Sequence, residues 1–251
     1  MEDFSGRAGG ALVVGGTGGI GAEVTRLLAA RGSAVALTYR GGEAAARALA
    51  GQVGGTVHQL DLTDADACAA VLARAADALG GLHTVVHAAG PHVPMLHLSR
   101  VGPALFRDQV EQDVLGFFHL LHAALPHLRR SRGSLVAVTT AATRRYPVRD
   151  GLSAAPKGAV EALVRAVAAE EGRYGVRANC VGPGMLTDGM AERLIASGDL
   201  DERALEAARA NIPLRGFGTA RDVAEAVCFL ASDRAGFITG QHLAVDGGYT
   251  V

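Results

Sequence analysis

The sequence predicts an α/β protein in which a doubly wound parallel sheet lies between two layers of helices. Short apolar strands alternate with helical patterns along the 251 residues, and a glycine-rich turn joins the first strand to the first helix. No linker, repeat or low-complexity stretch divides the chain. Because crossovers between parallel strands are right-handed, helices should cover both faces, and a single domain over residues 1–251 follows.

The predicted elements follow one another as strand and helix. Apolar runs predict strands at 11–14, 34–39, 56–60, 83–87, 133–139, 176–181 and 242–245. Apolar residues at three- and four-residue spacing predict helices from about residue 20 and at about 43–52, 64–79, 105–128, 153–174 and 219–231. Thr63 or Asp64 is placed to cap the third helix. Ligands of such sheets bind at the carboxyl ends of the strands, so chemistry is expected there.

Charge and cysteine content exclude several function classes. The formal net charge is −1, which gives no electrostatic basis for binding nucleic acid or an anionic membrane. The three cysteines are widely spaced and fit neither a disulfide framework nor a zinc site, so buried reduced thiols and no metal are predicted. The amino terminus is polar and no apolar run reaches 18 residues, which favours a soluble, cytoplasmic protein.

The turn after the first strand is the strongest functional signal. It follows Val14 and contains five glycines in the seven residues 15–21. A Cβ there would block a phosphate or demand a disallowed backbone angle. A helix N-terminus with free N–H groups after such a turn binds the pyrophosphate of a dinucleotide. The pattern therefore predicts a Rossmann-type sheet that binds a dinucleotide.

The end of the second strand favours NADP(H) over NAD(H). An NAD site offers an acidic residue about 20 positions past the glycines, but this strand ends Thr38-Tyr39-Arg40, with no carboxylate until Glu43. Arg40 can pair with a 2′-phosphate; the alternative is a solvated loop arginine. Asp61, at the end of the third strand, is placed to accept from the adenine amino group, or else caps a helix.

These motifs resemble those of the short-chain dehydrogenase/reductase superfamily along nearly the whole chain. Residues 14–21 are similar to its TGxxxGIG motif, with Val14 for Thr, and residues 87–90 to its NNAG motif, with His87 and Ala88 for the two Asn. Residues 245–248 resemble the strand end that helps form family tetramers, which implies a homotetramer. The resemblance implies an NADP(H) site formed by Gly15, Thr17, Gly18, Gly19, Ile20, Gly21, Arg40, Asp61, Leu62, Ala88, Ala89, Gly90, Lys157, Pro183, Gly184, Leu186 and Thr187.

The family's catalytic positions carry different residues here. The family uses Ser, Tyr and Lys with an Asn on an earlier helix. Lys157 is kept, but the Tyr position is Ser153, the Ser position is Thr140 and the Asn position is Asp113. A phenol beside an ammonium group can be tuned towards a neutral pKa, whereas an aliphatic hydroxyl is a poor proton source. Asp113 is expected to pair with Lys157, which would still bind the nicotinamide ribose.

Three functions remain open on these residues. The first is reduction of a conjugated C=C or C=N bond, since the Ser-x-x-x-Lys spacing is similar to the 2,4-dienoyl-CoA reductase branch, with Tyr146 as a relocated acid. The second is a carbonyl reductase with a displaced acid, for which His92 is the candidate because imidazole titrates near neutral pH. The third is a non-redox catalyst (a cyclase, isomerase or dehydratase) or a cofactor-binding pseudoenzyme.

Two features point weakly to the substrate. Arg144, Arg145 and Arg149 lie between Thr140 and Ser153, where they could hold a CoA or carrier-protein phosphate or a substrate carboxylate, or form a solvated face. Apolar residues among charges at about 185–211 are typical of substrate-covering helices and suggest a small hydrophobic or thioester-linked substrate, or they only pack.

Overall fold

The computed structural model describes residues 2–91, 93–188 and 202–251. Within these ranges all strands form one parallel sheet of seven, in the order β3-β2-β1-β4-β5-β6-β7. The doubly wound sheet predicted from the sequence is confirmed. The strands are β1 Gly10–Val14, β2 Ala34–Tyr39, β3 Thr56–Gln59, β4 Leu82–His87, β5 Ser134–Val138, β6 Arg177–Pro183 and β7 His242–Val245.

Helices alternate with the strands as the sequence predicts. They are α1 Gly19–Ala30, α2 Glu43–Val53, α3 Ala65–Leu79, α4 Pro103–Val110, α5 Gly116–Ser131, α6 Gly151–Glu171, α7 Glu202–Ala210 and α8 Ala220–Ala231. Asp64 caps α3, because its side chain accepts a hydrogen bond from the Ala67 amide. None of the helices in the described ranges is both long and apolar enough to cross a membrane.

The core lies on both faces of the sheet. Alternate residues of a strand point to opposite faces, so Leu12 packs with α3, α5 and α6 while Val13 packs with α1 and α8. Because helices cover both faces, β4 and β5 are buried at every position. The three cysteines are buried free thiols, as predicted.

The predicted long helix at 105–128 is two helices joined by a π-helical turn, Glu111–Leu115. Periodicity could not reveal this, since one extra residue in a turn leaves the apolar spacing on either side intact. Single π-helical turns are frequent at functional sites. Residues 189–201, part of the predicted substrate-covering segment at 185–211, lie outside the described residues; α7 occupies its last part.

The glycine-rich turn is packed so closely that side chains are excluded from it. Gly15 has φ +78°, and a Cβ there would lie 2.6 Å from the backbone of Ala89. A Cβ on Gly21 would lie 2.1 Å from the Gly15 carbonyl oxygen. These contacts bring the end of β1, the start of α1 and the end of β4 together.

Replacing Gly21 by Ala should therefore destabilise the protein. Overpacking of this kind costs about 3 kcal/mol in the free energy of unfolding, measurable by urea denaturation. The matched control is Gly51→Ala in α2, where a Cβ would meet nothing within 4 Å. It should stabilise by about 0.5 to 1 kcal/mol through helix propensity. Equal effects of the two substitutions would contradict the packing argument.

Candidate active site

A cavity of about 290 Å³ opens at the carboxyl ends of β1, β2 and β4. Such a crevice outside the strand ends is where doubly wound sheets bind ligands. Of the residues predicted from the sequence to bind the cofactor, the lining includes Gly15, Thr17, Gly18, Arg40, Asp61, Leu62, Ala88, Ala89 and Gly90. Asp113 lines the same cavity from the π-helical turn.

One side of the cavity is formed by the turn that leads into the N-terminus of α1. Gly18 is the N-cap, and no side chain caps the helix, so the first-turn amides of Gly19, Ile20 and Gly21 have no acceptor within the helix. Thr38 holds the turn in place, because its hydroxyl oxygen accepts from the Gly15 amide at 3.2 Å. Free amides and an exposed Gly18 fit the pyrophosphate of a dinucleotide.

Arg40 and Asp61 line the cavity beside the ends of β2 and β3. The exposed Arg40 side chain donates to Oε1 of Gln112 at 3.3 Å, which holds it across the cavity rim. Asp61 uses Oδ1 to accept from the amide and hydroxyl of Thr63. These bonds lower the pKa of the Asp61 carboxyl. Asp61 is therefore ionised near neutral pH. It does not cap α3, because Asp64 does. Its Oδ2 has no hydrogen-bond partner among the described residues.

The predicted cofactor residues after β6 are not part of the cavity lining. The Gly184 amide donates to the Val245 carbonyl at 2.9 Å, and a Cβ on Gly184 would lie 2.7 Å from the Asp246 Cβ. Leu186 forms an isolated parallel bridge with Gly218, and the Thr187 hydroxyl donates to the Gly218 carbonyl at 3.4 Å. Pro183 ends the buried strand β6, opposite Val245 of β7.

Lys157 and Asp113 form a buried ion pair. The Lys157 Nζ donates to Asp113 Oδ1 at 2.7 Å, and the side chains are 11% and 2% exposed. Gln109, one turn earlier on α4, donates to Asp113 Oδ2 at 2.7 Å. The direct contact expected from the sequence is present, and both carboxylate oxygens are satisfied. Lys157 also lies close to Gly90, whose added Cβ would be 3.5 Å from Nζ.

Thr140 and Ser153 are the hydroxyl-bearing residues at the predicted catalytic positions, and neither lines the cavity. Thr140 begins a short 3₁₀ turn after β5, and its hydroxyl oxygen accepts from the Ala142 amide at 3.1 Å. Its own O–H remains available as a donor. Ser153 lies in the first turn of α6, where its amide donates to the Asp150 carbonyl, and its hydroxyl has no partner among the described residues.

Of the relocated acids predicted from the sequence, the structure describes only Tyr146, which is not packed into the site. Tyr146 is 68% exposed on the loop before α6, with no hydrogen bond to the described part of the chain. His92 lies outside the described residues. Arg144 pairs with Glu161, and Arg145 donates to the Tyr249 carbonyl and stacks over its ring. Those two arginines therefore already have protein partners.

Three polar side chains near Lys157 and Asp113 have no role predicted from the sequence. Gln109 sits four residues before Asp113, a helical spacing that signals a contact only once Asp113 is known to point inward. Glu161 is buried one turn after Lys157 and accepts from the Thr143 hydroxyl at 2.7 Å. His87 is 1% exposed, and both ring nitrogens lack hydrogen-bond partners among the described residues. Burial lowers its pKa to about 3, and the nearby Lys157 charge contributes.

A family model described as "Enoyl-(Acyl carrier protein) reductase" matches residues 14–250. The chain belongs to the short-chain dehydrogenase/reductase superfamily. It is 35% identical to an L-fucose dehydrogenase from Oryctolagus cuniculus over 94% of this chain and 83% of that protein. A peroxisomal 2,4-dienoyl-CoA reductase from Saccharomyces cerevisiae is 35% identical over 60% of this chain and 50% of its own length.

A solved short-chain dehydrogenase/reductase structure from Mycobacterium ulcerans superposes with a TM-score of 0.90 at 28% identity, covering 98% of this chain and 91% of that chain. Superfamily membership supports an oxidoreductase that uses a nicotinamide cofactor. The relatives act on different substrates by name, so the substrate class is a separate question.

The ion pair of this reductase-fold protein can be tested by a double-mutant cycle. Asp113→Ala leaves the Lys157 ammonium buried and unpaired, which should cost about 3 kcal/mol in the free energy of unfolding. Lys157→Met strands the carboxylate in the same way. In urea denaturation, the double variant should be destabilised by about 1 to 3 kcal/mol less than the sum of the two single variants' destabilisations. Additive effects would mean that the two groups do not stabilise one another.

Proposed function

We propose that the protein is an NADP(H)-dependent reductase of a conjugated C=C or C=N bond in a small hydrophobic or thioester-linked substrate. The supporting observation is the pairing of Lys157 with Asp113 where Ser153 replaces a phenol. The ammonium group is already neutralised, and an aliphatic hydroxyl beside it would gain little acidity. Such a site suits an acceptor whose developing charge is delocalised, because it needs hydrogen bonds at oxygen more than a strong acid.

In this proposal each candidate residue has a separate role in binding the cofactor or the substrate. Bound NADPH would supply the hydride. The α1 amides would bind its pyrophosphate, Arg40 its 2′-phosphate and Asp61 its adenine amino group. Lys157 donates one N–H to Asp113. Its remaining N–H groups would bind the nicotinamide ribose. Thr140 and Ser153 would donate hydrogen bonds to the acceptor and hold it in position.

A second candidate is carbonyl reduction, or the reverse alcohol oxidation, with a displaced acid. Its support is the likeness to L-fucose dehydrogenase over almost the whole chain, since that name describes oxidation of a hydroxyl-bearing sugar. Ketone reduction requires a proton at oxygen, and the described residues offer neither a phenol at position 153 nor a buried Tyr146. This candidate therefore depends on another acid.

Two further features belong to the same proposal. Arg149 is exposed and has no partner among the described residues, so it is the arginine of that loop best suited to hold a phosphate or carboxylate of a CoA-linked, carrier-linked or acidic substrate. We also propose a cytoplasmic homotetramer, with the exposed side of β7, where Leu243 is 39% exposed, as part of a subunit contact.

The test is NADPH consumption with three substrate classes: enoyl thioesters, cyclic imines and ketones. Turnover of an enoyl thioester or an imine is expected. Turnover of ketones alone would replace the proposal with the second candidate. Tight NADPH binding in calorimetry without turnover of any class would favour the non-redox catalyst or pseudoenzyme. Absence of NADPH and NADH binding would overturn the cofactor assignment itself.

Arg40→Asp should reverse the cofactor preference. It removes a charge-assisted contact to the 2′-phosphate and adds repulsion, so NADPH affinity should fall about 100-fold relative to NADH. Calorimetric titration of both cofactors measures the ratio. Arg74→Asp, which changes an exposed arginine on α3, is the matched control and should leave the ratio unchanged. An unaltered ratio in Arg40→Asp would remove Arg40 as the phosphate ligand.

A further inference from the structure

Gln112 of the π-helical turn lies beside Arg40 at the rim of the cavity. It lines that cavity together with Arg40 and Asp61. A second cavity of about 280 Å³ adjoins the first and is lined by the same three residues among others. Arg40 follows β2, and its Nη1 donates to the Gln112 side-chain oxygen Oε1 at 3.3 Å. This bond connects the end of β2 to the π-helical turn.

The backbone of Gln112 is held in place by the next residue of the chain. Asp113 belongs to the same π-helical turn and forms the buried ion pair with Lys157 of α6. Breaking a buried ion pair is costly because it leaves a charge without a partner, so the pair anchors the turn on α6. The half-buried side chain of Gln112 therefore reaches Arg40 from a fixed position.

Arg40 receives a second hydrogen bond on its backbone. The side-chain nitrogen of Gln59, the last residue of β3, donates to the Arg40 carbonyl at 3.2 Å. Gly41 and Gly42, which follow Arg40, lie in open space, since a Cβ on either would meet nothing within 4 Å. The loop itself therefore does not support the arginine. Gln59 holds its backbone, and Gln112 holds its guanidinium group.

Three carboxyl groups line the second cavity together with Arg40, and they belong to Asp61, Asp108 and Glu111. All three side chains are exposed. Arg40 forms no ion pair with any of them among the described residues. Exposed groups of opposite charge attract each other, although such a pair contributes about 1 kcal/mol or less. An arginine that moved freely at this rim would therefore pair with a carboxylate, whereas the bond to the neutral amide of Gln112 leaves its charge unpaired.

A guanidinium group held in this way can still bind a phosphate. Gln112 uses only Nη1, and the Nε and Nη2 groups of Arg40 have no acceptor among the described residues. These two groups lie side by side and donate parallel hydrogen bonds to two oxygens of one phosphate. An ion pair with a carboxylate would occupy the same two donors and balance the charge. Gln112 thus holds the arginine without competing with a phosphate.

We propose that Gln112 is a positioning residue for cofactor specificity. Its amide oxygen holds Arg40 where the guanidinium group binds the 2′-phosphate of NADP(H), and it keeps Arg40 from pairing with the neighbouring carboxylates. This inference deepens the proposed function, because it rests on NADP(H) as the cofactor and on Arg40 as the phosphate ligand. The π-helical turn then positions two cations, Arg40 through Gln112 and Lys157 through Asp113.

The experiment measures the affinities for NADPH and NADH by calorimetry in wild type, Gln112→Glu and Gln112→Leu. Gln112→Glu pairs Arg40 with a carboxylate, so the ratio of NADPH to NADH affinity should fall about tenfold. Gln112→Leu removes the acceptor, and the ratio should fall about threefold. The affinity for NADH, which carries no 2′-phosphate, should not change. Gln52→Glu and Gln52→Leu, at an exposed glutamine of α2, are the matched controls and should leave the ratio unchanged.

Two further measurements isolate the 2′-phosphate and the route through Arg40. Adenosine 2′,5′-bisphosphate and adenosine 5′-monophosphate differ only in that phosphate, and the ratio of their affinities should fall in the same order across the variants. In an Arg40→Ala background, Gln112→Leu should change the NADPH to NADH ratio no further, because Gln112 has no guanidinium group left to hold.

The outcomes separate this inference from the proposed function. If wild type does not prefer NADPH, the assignment of NADP(H) fails and the role of Gln112 fails with it. If wild type prefers NADPH and both Gln112 variants keep its ratio, only the role of Gln112 is overturned. Equal losses of NADPH and NADH affinity would also overturn that role, and so would additive effects of Gln112→Leu and Arg40→Ala. Which bond the enzyme reduces does not affect these results, because no turnover is measured.

Discussion

The buried contact between Lys157 and Asp113 fixes how α6 packs against the π-helical turn between α4 and α5. An unpaired ammonium or carboxylate at this depth would cost several kcal/mol, so the two helices that carry them must meet in register. The π-helical turn between α4 and α5 supplies that register, because its wider turn carries Asp113 inward to Lys157. Gln109 satisfies the second carboxylate oxygen. The pair thereby fixes the position of Lys157 relative to the cavity.

The pair also changes the electrostatics of the reaction. A lysine beside a phenol lowers the phenol pKa by stabilising the phenolate. Here Ser153 stands in place of the phenol, and Asp113 balances the charge of Lys157. Without a phenol there is no need for an unbalanced lysine charge, so the residues at positions 113 and 153 are chemically consistent with each other. The proposed reductase site would retain a cation for the cofactor and hydroxyl donors for the substrate.

A second buried acid, Glu161, holds the 3₁₀ turn that follows Thr140. Glu161 lies on α6 one turn beyond Lys157, accepts from Thr143 and pairs with Arg144, so the 3₁₀ turn that begins at Thr140 is tied to the helix that carries Ser153. His242 of the edge strand β7 approaches the same carboxylate at 3.3 Å. The geometry between Thr140 and Ser153 thus depends on contacts that neither hydroxyl makes itself.

The sequence by itself determined the order of strands and helices, the glycine-rich turn and the identities at positions 113, 140, 153 and 157, because these depend on local periodicity, on the absence of side chains and on spacing along the chain. The tertiary structure alone decided which polar groups meet and which are left unpaired. The spacing of apolar residues does not reveal the π-helical turn or the exposure of Tyr146. It also does not reveal that the side chain of Asp150 makes no capping bond to α6. Burial and partnership are properties of packed elements, and they decide the chemistry that each side chain can perform.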